Sequence, residues 1–142
     1  AQIFTIVADA NANVDMIVQN VSTSESGRTD ISFTLPKSDV PAVLAALEGA
    51  KAEVGFVELR HDEDIAKVSV VGAGMRSSAG VSAKLFTALF EAGINMEMIS
   101  TSEIRISVVT RAGVAAAAAR AIHTAFGLDG DADAIVYAGT GR

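Results

Sequence analysis

The residues best suited to hold a small ligand fall into a glycine-rich turn and two repeated strand starts. Residues 72–80 read GAGMRSSAG, between an apolar run and a helical pattern. A strand, a glycine turn and a helix start bring free backbone N–H groups and the positive helix end together, a geometry that suits carboxylates or phosphates. Gly80 permits close backbone approach, and Ser77, Ser78 and Ser82 offer hydroxyls. A dinucleotide fingerprint needs G-x-G-x-x-G; Gly72 and Gly74 fit, but Ser77 stands at the third glycine. The turn therefore points to an anionic group on a small ligand, with a merely tight turn as the plain alternative. Asn13 and Asn95 open equivalent strands and can each offer a donor and an acceptor. Asp15 and Glu97 follow two residues later and could pair an ammonium group, or serve only as exposed strand carboxylates. The segment ISTSEIRIS (99–107) packs Ser100, Thr101, Ser102 and Glu103 into one tight connection.

Other groups carry less. His61-Asp62-Glu63-Asp64 could suggest a metal, but reads as a solvated acidic turn. His123 has no partner His or Cys nearby in sequence. Met16, Met75, Met96 and Met98 suit core filling. No nucleophile–base pair, P-loop or G-x-S-x-G motif is present, so no catalytic residue and no metal site is predicted.

The elements that must position these groups come in two copies. Residues 1–20, AQIFTIVADANANVDMIVQN, align without a gap on residues 83–102, AKLFTALFEAGINMEMISTS, 82 positions later. Later in each copy, DISF (30–33) matches RISV (105–108), 75 positions later, so the first hairpin connection is longer by seven residues (82 − 75). Helical and alternating patterns predict a helix ending near residue 11, strands at 14–21 and around 31–35, a helix capped by Ser38 or Asp39 with Pro41 in its first turn and running to about Ala50, and a strand at 54–60. The second copy predicts strand 65–72, helix 81–92 closed by Gly93, strands 95–100 and 104–109, helix 113–126 closed by Gly127, and a last strand in AIVYAG. Strand, helix, strand, strand, helix, strand is the ferredoxin-like βαββαβ order. The fold class is α+β, with two such units side by side, antiparallel sheets and helices on one face. The first unit is set at 1–60, lacking its opening strand and turn. The second is set at 61–142, with a final strand at 134–138 open to sharing between units.

Composition narrows the partners. Eleven basic against 17 acidic side chains give a net charge of −6, against nucleic-acid backbone binding. There are no cysteines, so disulfides and thiolate sites are excluded. No apolar stretch reaches the roughly 20 residues of a membrane span, and nothing reads as a signal peptide; a cytoplasmic location is expected.

The motifs VSVVGAGM (68–75), NMEMISTSEIRISVV (95–109) and VYAGTGR (136–142) resemble the C-terminal regulatory region of bacterial aspartate kinase. NVDMIVQNVS (13–22) and TDISFTL (29–35) are similar to the first of that region's two ACT units. The resemblance covers essentially the whole chain. It implies an allosteric part without catalytic residues, matching the small subunit of an α2β2 assembly or a fragment. The attached kinase domain would phosphorylate the side-chain carboxylate of aspartate using ATP, at the start of lysine, threonine and methionine synthesis. The implied partners are the catalytic alpha subunit, a second regulatory chain and an amino-acid effector. No cofactor is implied; the ligand is threonine, with lysine as a second effector. Carried over by position, the effector site draws on Met75, Gly80, Ser82, Asn95 and Met96, completed by Gln19 and Ser22. A second groove draws on Asn13, Val14, Asp15, Ser102 and Glu103. Where the family usually has His-Pro, this chain has Ser78-Ala79. A scaffold subunit with a vestigial site and a nucleotide enzyme built on the glycine turn are the rival readings.

Overall fold

The two copies fold around two separate cores. The computed structural model describes residues 1–21, 28–72, 80–128 and 137–139. It divides into two units with a boundary between Glu63 and Asp64.

In the first unit, α1 (Gln2–Asp9) leads to β1 (Ile17–Val21), which pairs antiparallel with β2 (Thr29–Phe33). A 3-10 turn (Lys37–Asp39) opens α2 (Val40–Gly49), with Pro41 in its first turn, where a missing N–H costs nothing. A single helical turn, α3 (Lys51–Val54), ends at Gly55 with φ +81°. In the second unit, β3 (Ile65–Val71) is followed by α4 (Val81–Glu91), β4 (Met98–Thr101), β5 (Arg105–Arg111), a 3-10 turn (Ala112–Val114), α5 (Ala115–Ala125) and β6 (Tyr137–Gly139). Its sheet runs β4-β5-β3-β6, antiparallel throughout. This is the ferredoxin-like order read from the sequence.

Strand register reproduces the repeat. Ile17 faces Phe33 in one hairpin, and Ile99 faces Val108 in the other. These are the 82- and 75-residue counterparts, so the seven extra residues of the first unit lie between Ile17 and Phe33. The same backbone bond recurs: the Asp15 amide donates to the Thr34 carbonyl (2.9 Å), and the Glu97 amide to the Val109 carbonyl (2.7 Å). Asn11 (φ +58°) and Gly93 (φ +71°) both take the left-handed conformation just after the first helix of each unit. Asn tolerates it through its short polar side chain, Gly by having none.

The cores coincide in the same way. Val7, Val43 and Leu47 form the buried cluster of the first unit. Their counterparts Leu89, Ala118 and Ile122 are all in the second cluster, with Val68, Leu85, Ile94, Ile106 and Val108. Alternation puts Val68, Ile106 and Val108 on the helix-covered face, and Ser69 and Ser107 on the other. These two serines are buried and their hydroxyls lie 2.7 Å apart.

The strand expected at 54–60 is absent. Val54 closes α3 and residues 55–60 form no strand, although Phe56 and Leu59 pack against the first core. In the second unit the last strand, β6, pairs with the opening strand β3; in the first the described sheet is β1-β2, and residues 55–60 pair with neither strand. Their polar ends are met locally: Glu58 and Arg60 form a two-point ion pair at 2.7 and 2.8 Å.

Candidate functional site

The candidate residues fall at the two ends of the units. Gly80 sits immediately before α4 with φ +87°, a conformation that favours glycine. Among the described residues no side chain caps the first turn of α4, and half-buried Ser82 lies within that turn. The first amides of a helix have no intrahelical partner, so this end can receive a carboxylate. Asn95 and Met96 lie beyond the other end of α4. The Ile94 amide donates to the Leu89 carbonyl (2.9 Å), and the Glu97 amide bond then fixes the segment beside the far end of β5. The eleven residues of α4, about 16 Å long at 1.5 Å per residue, lie between Gly80 and that segment, with Ser82 in the first turn. Within the second unit, Gly80 and Ser82 are therefore not brought together with Asn95 and Met96.

Asn13, Val14 and Asp15 occupy the corresponding position before β1. Asn13 and Asp15 are exposed, as are Asn95 and Glu97. Val14 and Met96, at equivalent positions, each pack against the core of their own unit. What these two offer a ligand is main-chain rather than side-chain chemistry. Gln19 is exposed on β1, opposite Ile31. Ser102 and Glu103 are exposed in the three-residue connection between β4 and β5. The Ser102 amide donates to the Arg105 carbonyl (2.7 Å), and its hydroxyl donates to the same oxygen at 3.4 Å. The Gly72 amide donates to the Ile104 carbonyl (2.9 Å), fixing the exit of β3 beside that connection. Ser22 and Met75, with the rest of the glycine turn over 73–79, lie outside the described residues.

The acidic turn after residue 60 is engaged in ion pairs. Asp64 Oδ2 accepts from Arg111 (3.1 Å), while Glu63 lies 3.8 Å from Lys37. Among the described residues no group of three His, Asp or Glu side chains could hold a metal, and no helix is long and apolar enough to cross a membrane. The hydrogen bond from Arg60 holds the Glu58 carboxyl below its usual value, and the nearby Lys51 charge acts the same way.

Sequence reasoning missed two residues near these strand starts. Thr34 Oγ1 accepts the Met16 amide (3.0 Å), and Asp39 Oδ2 accepts the Asn13 amide (3.4 Å). Neither contact is local in sequence. The sequence presents Asp39 only as a candidate cap of α2; the structure makes no such capping bond, and the carboxylate turns to Asn13 instead.

Comparison with known proteins agrees with this architecture. The family model for the ACT domain matches residues 1–50 and 68–126. Over all 142 residues the chain is 51% identical to an aspartokinase of Mycolicibacterium smegmatis, and it spans 34% of that protein's length. The regulatory subunit of aspartate kinase from Thermus thermophilus, in its ligand-free form, superposes with a TM-score of 0.81 at 45% identity, over 88% of this chain and 81% of that one. A crystal structure of aspartokinase alpha and beta subunits gives a TM-score of 0.81 at 46% identity, over 89% of this chain and 81% of that one. With two ferredoxin-like units, coincident cores and this likeness along its whole length, the chain belongs to the ACT-domain family, among the regulatory regions of aspartokinases.

Proposed function

We propose that the chain is the feedback-sensing part of an aspartate kinase, binding threonine, with lysine as a second effector, at interfaces between ACT units. The recurrence of one arrangement at both strand starts carries this reading: Asn13 and Asn95, each followed two residues later by an acid on an amide-tied backbone. An amino-acid effector needs donors for its carboxylate and acceptors for its ammonium. The first-turn amides of α4, which no side chain caps among the described residues, supply donors. Asp15, Glu97 and the asparagine side chains supply acceptors. The two ends of one unit lie about 16 Å apart along α4, too far for one small amino acid, so a complete site takes one end from each of two units. Gln19 and Ser22 are the proposed contribution of the neighbouring unit to the Gly80 and Ser82 end, and the Asn95 and Met96 end is completed by a different unit.

The proposed partners are the catalytic alpha chain, in an α2β2 assembly, and a second regulatory chain. The likeness to a crystal structure of aspartokinase alpha and beta subunits supports that assignment. Inhibition follows if threonine binds one packing of the units more tightly than another, and the kinase is less active in that packing. A coupling of about 1–3 kcal/mol is enough for useful regulation. The test is reconstitution with catalytic aspartate kinase chains, followed by a threonine dose–response of phosphoryl transfer. Inhibition that weakens in both Asn95→Ala and Ser102→Phe, each still folded and assembled, is expected. Unchanged inhibition in both variants would overturn the site assignment.

A further inference from the structure

The two strand starts share a sequence pattern but are held differently. In the first unit, three of the four amides from residue 13 to residue 16 are fastened. The Asn13 amide donates to Asp39 Oδ2 (3.4 Å), the Asp15 amide to the Thr34 carbonyl (2.9 Å), and the Met16 amide to Thr34 Oγ1 (3.0 Å). The Thr34 amide donates in turn to the Met16 carbonyl (2.9 Å). Asp39 stands at the N-cap of α2 without making a capping bond. Its carboxylate reaches a backbone amide 26 residues earlier instead.

The second unit replaces both acceptors. Seventy-five positions on, Thr34 becomes Val109 and Asp39 becomes Val114. Valine side chains accept no hydrogen bond. Val109 is buried, and Val114 packs against the second core. The bond from Asp15 survives as the bond from Glu97, but neither side-chain acceptor has an equivalent.

We propose that Asp39 and Thr34 are positioning residues that preform the effector-binding end of the first unit through side-chain acceptors, whereas the equivalent end of the second is held by backbone bonds alone, with Met98 already in β4 opposite Val109. The proposal rests on the reading of residues 13–15 as effector-binding. A segment held before binding loses less conformational freedom on binding. Removing either acceptor should therefore weaken binding at the first unit's end and leave the second unchanged, through a device that touches no ligand.

The experiment uses the whole 142-residue chain. Amide exchange at Asn13, Met16, Asn95 and Met98 is followed in the wild type, Asp39→Ala, Thr34→Val and Asp39→Asn, and each protein is titrated with threonine while the same amide resonances are observed. Exchange at Asn13 in Asp39→Ala, and at Met16 in Thr34→Val, should quicken about fivefold, the effect of one modest hydrogen bond. Exchange at Asn95 and Met98 should not change. Threonine affinity read at Asn13 should fall about fivefold in Asp39→Ala and hold its value at Asn95. Asp39→Asn, which keeps an acceptor oxygen, should restore both properties. Unchanged exchange at Asn13 and Met16, equal loss at Asn95, or no rescue by asparagine would overturn the proposal. If exchange changes as expected but the wild type does not bind threonine, the effector role falls together with the reading beneath it.

Discussion

Leu47→Ala should unfold the first unit and leave the second standing. Leu47 is 2% exposed and is one of three residues in the buried cluster of its unit. Truncating a buried leucine to alanine costs about 2–5 kcal/mol, depending on how far the cavity collapses. Native domains hold roughly 0.05–0.15 kcal/mol per residue. For the 63 residues up to Glu63, that is about 3–9 kcal/mol in total. The loss is thus comparable with the whole stability of the unit. Ile122, the repeat counterpart, sits in a cluster of eight, and Ile122→Ala removes a smaller share of a larger core. Residue-resolved amide exchange in mild urea separates the cases. In Leu47→Ala, Val7 and Val43 should lose protection while Leu85, Ile106 and Val108 keep it. Simultaneous loss in both groups would refute the account of two independent cores.

Three further outcomes follow from particular contacts. Ser107→Ala leaves the Ser69 hydroxyl buried without its partner at 2.7 Å; it should cost about 1–3 kcal/mol in a denaturant titration, and the double Ser69→Ala, Ser107→Ala protein should recover most of that. Gly93 lies at φ +71° with open space where a Cβ would stand, so Gly93→Ala should cost about 1 kcal/mol through backbone conformation alone, and Gly93→Asn less, because Asn11 already fills the equivalent place. The Glu58 carboxyl is held below its usual value first by the Arg60 hydrogen bond. Whatever stability this adds is present above the usual carboxylate range and is lost as pH falls through the lowered value; the group is fully exposed, so the effect on folding should be slight. NMR titration of Arg60→Ala should show the Glu58 midpoint rise, and an unmoved midpoint would contradict the ion pair.

Periodicity and repetition carried most of the fold. The 82- and 75-residue offsets read from the sequence recur in the observed strand register and relate Val7, Val43 and Leu47 to Leu89, Ala118 and Ile122. These features are local or depend on alternation, which a sequence displays directly. Residues 55–60 failed as a strand because strand formation needs a neighbour, and a pattern of apolar residues says nothing about whether one is present. The candidate site was legible as residue types at repeated positions. Its mechanics were not. That Val14 and Met96 pack against their cores, and that Asp39 and Thr34 fasten residues 13–16, depends on contacts between segments far apart in the chain. The separation of Gly80 from Asn95 by the length of α4 was implicit in the helix assignment itself, since eleven helical residues fix the distance.

Calorimetric titration of the chain with threonine and then lysine, with ATP as the control, addresses the central claim most directly. Saturable threonine binding, weakened by Asn95→Ala and absent for ATP, is the predicted result. A folded protein that binds neither amino acid would contradict the effector-sensing account, and saturable ATP binding would favour a nucleotide-binding role for the glycine turn.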